Sequence, residues 1–370
     1  MGVKNTDLAD FVASTLNDLP KDKFEIAWDN QDYEFCRIHQ TNRTVIDGGN
    51  QIERKVMLDT SGSARYRRLY DTDEPTVGDV LKTIKVGWTQ PGSDFSWDKL
   101  EILRQKNSVK GFIQLMRVRR VDGYWKLAKL IEERGWKTPT NSTDDLYPFG
   151  IPYYINMVDA DSTTGGFVGK TIRYQDATTG TICANIDANI ESRWRNYAAV
   201  YSKIDNALLK TFRLAFLYTN FKPPLIVKDL PASEFGKILS KRIYTDFDNA
   251  AALQDLADTR DDNHSGGELL GNIRVNESGV VTINRVPVVA VPQLNSVTDP
   301  VTSDATSPIY FVDFAHLIPY IQDGYWLEES EPMWSRGQHT TFTVFIDGSH
   351  QILCDNRRQV GFVLHKAITA

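Results

Sequence analysis

The chain has 370 residues, of which 41% are hydrophobic and 24% charged, and its formal net charge is -6. This composition is typical of a globular protein with two or three domains and excludes a chain that is disordered throughout. The acidic balance disfavours a protein that wraps nucleic acid by broad neutralisation of phosphates. Three widely spaced cysteines, Cys36, Cys183 and Cys354, predict free thiols and no zinc site.

The first residues predict neither a secretory signal nor a membrane span. Residues 1–20 lack the basic, apolar and small-residue layout of a signal, and no window approaches 18 uninterrupted apolar residues. The spacing at 6–19 predicts a short amphipathic helix, and alternating apolar residues after it predict an extended arm that lies across other surfaces. The alternative is an edge strand of a core sheet. The aromatic anchors of the predicted arm are Phe24, Trp28, Tyr33 and Phe35.

A long hairpin is predicted between residues 51 and 71. The runs 51–59 and 64–71 are polar and extended in character, and 60–63 has the composition of a hairpin turn. Neither run has enough apolar residues to bury itself, and an isolated hairpin is at best marginally stable in water. We therefore expect this arm to lie against a second chain.

Charged residues on this arm are the candidate interface residues. Strand alternation places Arg65 and Arg67 on one face, where a planar guanidinium suits the carboxylates of a partner subunit. The alternative is a hairpin that is merely solvated. The complete predicted set is Glu53, Arg65, Arg67, Arg68, Asp71 and Asp73.

One long amphipathic helix is predicted at 107–134. Asn107 and Ser108 form a good N-cap pair, and Gly135 ends the pattern. Asp122-Gly123 in the middle predicts a bend or a division into two helices, because glycine costs about 1 kcal/mol relative to alanine inside a helix.

The rest of the chain predicts a mixture of strands and helices, and the class is therefore α+β. Before the long helix, strands are expected at 81–89 and 95–103, joined by the turn 90–93. Further strands are expected at 151–158, 171–174, 225–227, 279–292, 309–312, 340–347, 351–355 and 360–365. Asp347-Gly348 predicts a hairpin turn between two of them. Further helices are expected at 202–220, 232–244 and 247–258.

Three stretches resemble ligand-binding motifs, and each departs from its motif. The run 164–171 nearly matches a phosphate-binding loop, but Thr164 replaces the first glycine and a strand follows instead of a helix. The run that begins at Asp159 starts like a calcium loop, but Thr164 and Lys170 occupy the positions that require glycine and glutamate. The third stretch is an acidic cluster that could hold a divalent ion, but a solvated loop explains it better. Its residues are Asp258, Asp261, Asp262, His264 and Glu268.

The sequence contains no pattern that predicts catalysis. The six histidines lie apart, with no H-E-x-x-H pair and no G-x-S-x-G elbow. We therefore expect no enzyme, no catalytic residue, no cofactor and no metal. The alternative among enzymes is a nucleotide-binding enzyme that uses Gly169, Lys170 and Thr171.

The order of several short stretches carries a family resemblance over nearly the whole chain. They are Gly48-Gly49 and the runs 104–107, 133–136, 185–187, 194–196, 281–291 and 354–362. In this order they resemble a tailed-phage major capsid protein with the Hong Kong ninety-seven type fold. The resemblance implies an N-arm at 1–48, an extended E-loop at 49–78, a P-domain at 79–200 with its spine helix at 107–134, an A-domain at 201–340, and C-terminal strands at 341–370 that return to the P-domain.

The resemblance also implies a function and partners. The subunit would self-assemble through hexamers and pentamers into an icosahedral shell around double-stranded DNA, without sequence-specific DNA binding. Scaffolding and portal proteins are the expected partners, with a decoration protein as an optional one and no membrane. The expected locations are the virion capsid and, during assembly, the host cytoplasm. The alternative is an encapsulin-like nanocompartment shell that packages an enzyme.

Overall fold

The computed structural model describes residues 33–60, 64–72, 78–104, 109–159, 165–220, 240–261, 273–275, 279–334, 337 and 340–368. The elements predicted at 6–19, 225–227 and 232–239 lie outside this part, as do Phe24, Trp28, Asn107 and Ser108. The described helices are α1 Glu34–Thr41, α2 Lys99–Arg104, α3 Val109–Gly135, α4 Ile151–Tyr154, α5 Asn206–Thr219 and α6 Phe247–Asp261.

The described strands fall into two large sheets and three two-stranded ladders. In chain order they are β1 Thr44–Ile46, β2 Gln51–Met57, β3 Leu81–Gly87, β4 Gly92–Asp98, β5 Gly166–Gly169, β6 Ile172–Arg173, β7 Thr179–Gly180, β8 Ile182–Cys183, β9 Ile186–Asp187, β10 Asn196–Tyr201, β11 Lys241–Thr245, β12 Ile273–Val275, β13 Val281–Ile283, β14 Val286–Ala290, β15 Ile309–Asp313, β16 Leu317–Glu329, β17 Met333–Trp334, β18 Thr341–Cys354 and β19 Gly361–Lys366. This mixture confirms the predicted α+β class.

The five-stranded sheet is built on the long strand β18. One edge of β18 pairs with β16 and β17, its other edge pairs with β4, and β1 adds a parallel strand to β16. The hairpin turn predicted at Asp347-Gly348 is wrong, because β18 runs straight through it. Gly348 is needed here for close approach: a Cβ at this position would lie 2.8 Å from Cε3 of Trp326, which is its ladder partner.

The eight-stranded sheet has the order β12-β13-β14-β11-β15-β19-β10-β5. The helix predicted to continue to 244 is wrong over Lys241–Thr245, because this run forms β11 and buries Ile243 and Tyr244 completely between β14 and β15. The sheet draws β5 and β10 from before residue 202 and β19 from the C-terminal segment. Its membership therefore cuts across the segment boundaries that the sequence predicts.

Helix α3 is continuous, so the division into two helices predicted at Asp122-Gly123 as the alternative to a bend is wrong. Gly123 lies against the five-stranded sheet, where a Cβ would be 3.3 Å from Cδ1 of Ile346, and its carbonyl accepts a hydrogen bond from Ser93 Oγ at 2.9 Å. Asp122 forms an ion pair with Lys126 at 2.8 Å. Close packing on the sheet therefore explains why a glycine stands at this position inside the helix.

Three further local predictions are corrected. The strand predicted at 151–158 begins instead as the short helix α4, with Pro152 at a first-turn position where its missing N–H costs nothing. The strands β3 and β4 do not pair with each other, since β3 pairs with β2 and β4 pairs with β18. The predicted extended arm is also wrong over Glu34–Thr41, which is helical.

A completely buried arginine joins the two large sheets. Arg357 follows β18 and precedes β19, and it donates hydrogen bonds to the carbonyl oxygens of Tyr154 at 2.9 Å and Trp194 at 2.8 Å. A third hydrogen bond reaches Asn196 Oδ1 at 3.3 Å. Buried polar groups must be satisfied within the protein, so this guanidinium fixes three segments around the C-terminal turn.

We predict that Arg357→Met strongly destabilises the subunit. The substitution leaves the buried carbonyl groups of Tyr154 and Trp194 without a donor, and we expect a loss of at least about 3 kcal/mol in the free energy of unfolding. The measurement is the denaturant midpoint by circular dichroism. The matched control is Arg358→Met at the adjacent, half-buried position, for which we expect less than half that loss; equal losses would contradict the assignment.

Candidate assembly interface

The hairpin predicted from 51–59 and 64–71 is wrong, because Gln51–Met57 pairs instead with Leu81–Gly87, the strands β2 and β3. The ladder is antiparallel, with Gln51 opposite Gly87 and Met57 opposite Leu81. Residues 64–72 are not a strand, and 61–63 lie outside the described part. The two halves of the hairpin are therefore separated by a loop of more than twenty residues, which the polar composition of 64–71 did not reveal.

The base of this hairpin is anchored on the body of the subunit. Alternation buries Ile52, Ile84 and Val86 on one face, with 6%, 0% and 2% of their surfaces exposed. The backbone N–H of Lys85 donates to the carbonyl of Ala184 at 3.2 Å. Contrary to the expectation that the arm could not bury itself, its lower part contributes to the core.

The loop leaves and re-enters the body at one narrow neck. The backbone N–H of Leu58 donates to the carbonyl of Val80 at 3.2 Å, and Leu58 is buried. Arg193 closes this neck from the side, with Nη1 3.0 Å from the Leu58 carbonyl oxygen and 3.0 Å from Asp59 Oδ1. The neck therefore holds the ends of the loop together independently of its tip.

The tip of the loop exposes large apolar side chains. Tyr66, Leu69 and Tyr70 expose 107%, 83% and 96% of their surfaces. The turn beneath them is closed by Asp71, whose Oδ2 accepts the backbone N–H of Arg68 at 2.8 Å. Three large apolar side chains exposed within one short loop are typical of a contact site.

The predicted interface residues have partly intramolecular partners. Glu53 lies on β2 and forms an ion pair with Lys85 at 3.1 Å, and this hydrogen bond, with a second from Gln51, lowers the pKa of Glu53. Arg65 donates to the carbonyl of Thr72. Arg65, Tyr66, Arg67 and Arg68 lie together in the described tip, whereas Asp73 lies outside the described residues.

The sequence analysis singled out the charges of the tip and missed its apolar residues. Tyr66, Leu69 and Tyr70 are the apolar members of an otherwise polar run, and they cannot be buried by a strand of period two or by a helix that does not form there. Their spacing, which does not fit a strand of period two, was the sequence signal that could have predicted their exposure. Their exposure depends on the loop standing away from the body, which only the structure provides.

A second exposed surface lies on the five-stranded sheet. Ser93, Ile346 and Glu329 face helix α3, where Glu329 Oε1 is 2.6 Å from both Arg120 Nε and Tyr124 Oη. The neighbouring positions in each strand point the other way.

These outward positions form a surface that we name the acidic face: Asp94, Glu328, Met333, Phe345 and Asp347. Asp94 is the ladder partner of Phe345, and Glu328 is the ladder partner of Asp347. Phe345 exposes 41% and Met333 51% of its surface. The acidic face thus combines exposed apolar area with carboxylates, the complement of the basic and aromatic loop tip.

The motif-like stretches form no ligand site in the described part of the chain. Gly166–Gly169 is the edge strand β5, and a Cβ on Gly169 would lie 2.3 Å from Asn196 Oδ1, so packing explains this glycine. Residues 160–164 and the side chains of the acidic cluster at 258–268 lie outside the described residues. Among the side chains that are described, no group of three or more His, Cys, Asp or Glu could hold a metal ion.

The predictions about cysteines and membrane spans can be compared with the structure. Cys36, Cys183 and Cys354 are free thiols, as predicted. Burial raises the pKa of Cys183 to about 11, which keeps this thiol protonated and unreactive at neutral pH. No described helix has the length and apolar composition needed to cross a membrane.

The chain has the fold of phage capsid proteins. It matches the capsid asymmetric unit of cyanophage A-1(L) with a TM-score of 0.60 at 14% sequence identity, over 95% of this chain and 97% of that chain. The capsids of native and empty GTA particles match with TM-scores of 0.54 and 0.53, each at 9% identity. These matches cover 99% and 95% of this chain and 100% and 95% of theirs.

The similarity is visible in structure and not in sequence. No protein-family model and no curated protein sequence matches the chain. The predicted capsid architecture is therefore confirmed as a fold.

We predict that substitution by alanine affects stability at the anchored base of the hairpin and not at the exposed tip. Ile84→Ala removes a completely buried side chain and should lower the free energy of unfolding by about 2–5 kcal/mol. Leu69→Ala, a change of the same type at an exposed position, should alter it by less than about 0.5 kcal/mol. Denaturant unfolding of both variants measures this difference, and a large loss for Leu69→Ala would mean that the tip packs on its own subunit.

Proposed function

We propose that the chain is a phage major capsid protein, a non-enzymatic subunit that assembles through hexamers and pentamers into an icosahedral shell around double-stranded DNA. The capsid fold over 95% of the chain supports this proposal. The observation that carries it is the loop tip, because the exposed Tyr66, Leu69 and Tyr70 require a surface that their own subunit does not supply. A neighbouring copy supplies that surface in a closed shell.

The segment division follows from the same proposal. Residues 1–48 are the N-arm, 49–78 the E-loop, 79–200 the P-domain and 201–340 the A-domain, and 341–370 return to the P-domain. Scaffolding and portal proteins, an optional decoration protein and packaged DNA are the proposed partners. The subunit is made in the host cytoplasm and ends in the virion. The matched shells belong to a cyanophage and to GTA particles, which favours a capsid over an encapsulin-like compartment.

The tip docks on the acidic face of a neighbouring subunit. Arg65, Arg67 and Arg68 stand in the same run as the exposed tyrosines, while Asp94 is the ladder partner of the exposed Phe345. Burial of an exposed leucine or aromatic side chain contributes about 1.5–3 kcal/mol, so the apolar residues supply most of the affinity. The opposite charges select the surface and the register, because like charges at a wrong contact cost free energy.

Each subunit offers one tip and one acidic face. Such a contact is heterologous, and repeated around a rotation axis it closes into a ring. Individual contacts can then be weak while the closed assembly is stable, because every subunit makes two contacts, one through its tip and one through its acidic face.

Charge reversal tests this contact. Changing Arg65, Arg67 and Arg68 to Glu should leave a folded subunit that does not form shells, and changing Asp94, Glu328 and Asp347 to Arg should do the same. Subunits that carry both sets of changes should assemble again, because the opposite charges are restored. Circular dichroism checks folding, and sedimentation with negative-stain imaging measures assembly.

The outcomes separate the function from the docking surface. If the first reversed set assembles normally, the tip arginines do not select a partner and the proposed contact is wrong. If both reversed sets fail and the combined variant also fails while folded, the tip binds a surface other than the acidic face. In either case the shell function itself is judged by assembly of the unmodified chain.

A further inference from the structure

Helix α1 is held on the body of the subunit by a carboxylate at its N-terminus. Tyr33 at the N-cap provides no side-chain hydrogen bond. Instead Glu132 of α3 accepts the backbone N–H of Cys36 at 2.8 Å and, through its other oxygen, the indole N–H of Trp136 at 2.8 Å. Its oxygen thus satisfies one of the backbone N–H groups that a helix N-terminus leaves without a partner. Glu132 has no exposed surface, and this burial raises its pKa to about 7.

Other ionisable groups surround the same end of the helix. Glu34, which is 1% exposed, lies beside Arg37, 3.6 Å from Arg242 Nε and 3.5 Å from Tyr244 Oη. Burial raises the pKa of Tyr244 well above its usual value, so this phenol stays neutral. Burial also raises the pKa of the neighbouring Cys36 thiol to about 11. Of Cys36, Tyr244 and Glu132, it is Glu132 whose pKa lies near neutrality.

Two buried histidines meet at the other end of the helix. His39 of α1 and His350 of β18 are 1% and 3% exposed, with ring centroids 4.9 Å apart and Trp326 beside both. Neither nitrogen of His39 has a hydrogen-bond partner, and Nδ1 of His350 also has none. The fixed charges nearby are positive: Arg43 near His39, and Arg134, which lines the same cavity of about 230 Å³ as His350.

Both nitrogens of His39 and Nδ1 of His350 lack the hydrogen-bond acceptor that would stabilise an imidazolium. A buried charge without a partner is strongly unfavourable, so both rings are neutral while the helix is docked. Burial lowers the pKa of His350 to about 4, and burial with the nearby His350 and Arg43 lowers the pKa of His39 well below its usual value.

We propose that helix α1 is a proton-controlled latch, docked while His39 and His350 are neutral and released when they are protonated, with Glu132 acting in the opposite sense. The helix is where the N-terminal part of the chain enters the described structure. Its release therefore frees Glu34–Thr41 without unfolding either large sheet.

The direction of each effect follows from linkage. A histidine whose pKa is lower in the docked state binds fewer protons there, so docking weakens as the pH falls from about 6.5 towards 4. Glu132 has a higher pKa in the docked state, so its contribution is present at low pH and is lost as the pH rises from about 4.5 to about 7. The two effects oppose each other in weak acid.

The linkage sets the expected magnitudes. Between pH 7 and pH 5 His350 weakens docking about 20-fold, whereas Glu132 strengthens it about 40-fold. His39 acts in the same direction as His350 and can weaken docking by at most about 25-fold over this range, so the net result is a loss of up to about tenfold at pH 5. Docking stays nearly constant between pH 6 and pH 8.

Hydrogen exchange of the full-length chain tests the latch. Peptides that cover α1 are compared at pH 7 and pH 5, with each rate divided by the intrinsic exchange rate at that pH. We expect protection of α1 to fall by up to about tenfold at pH 5, while peptides from β18 and α5 keep theirs. Loss of protection in all three together would mean general unfolding and would overturn the proposal.

Two variants change the pH response in opposite directions. Glu132→Gln fixes this position in a neutral form, so protection of α1 should fall by more than about 20-fold between pH 7 and pH 5, further than in the unmodified chain. His39→Leu with His350→Leu removes the protonated groups, so protection should rise as the pH falls. The proposal is overturned if the unmodified chain shows no pH dependence, or if the histidine-free variant loses protection as the unmodified chain does.

Discussion

The buried guanidinium of Arg357 is the contact on which the rest of the subunit depends. It lies in the turn between β18, the central strand of one large sheet, and β19, an inner strand of the other. Its hydrogen bonds to the carbonyls of Tyr154 and Trp194 fix the segments that connect these sheets. Because a buried cation is tolerated only when its donors are satisfied, the position of this turn allows little adjustment. Both sheets are thereby held in one arrangement, and the hairpin base of β2 and β3 packs against that rigid body.

The subunit therefore combines a fixed body with a loop tip that lacks support of its own. At the neck, a hydrogen bond of 3.2 Å from the Leu58 N–H to the Val80 carbonyl oxygen holds the two ends of the loop together, and Arg193 closes the neck from the side. The body therefore presents the tip without supporting it. For the shell proposed above, this division reconciles a net acidic chain with contact between copies. Repulsion between net negative copies is spread over the surface, whereas the proposed contact brings opposite charges of the basic tip and the acidic face together locally. The exposed apolar side chains at both sites then gain from burial.

Much of the fold could be predicted from the sequence, and the exceptions have physical reasons. The long helix, the helices at 202–220 and 247–258 and the strands at 309–312 and 360–365 follow from apolar spacing and end signals. Gly123 and Gly348 gave wrong predictions, because each is required by a side chain that approaches from a distant part of the chain, Ile346 and Trp326 respectively. The pairing of β2 with β3 was missed because the loop between them is long. At the candidate interface the arginines were recognised, but the exposure of Tyr66 and its neighbours depends on how the loop leaves the body.

The most direct test of the account is sedimentation of the purified full-length chain, alone and with candidate scaffold protein, followed by negative-stain imaging of any fast fraction. The account predicts closed shells or capsomer rings, because the tip and the acidic face of each subunit find partners on neighbouring copies. A chain that stays monomeric or dimeric under every condition, including with scaffold present, would contradict the proposed shell function.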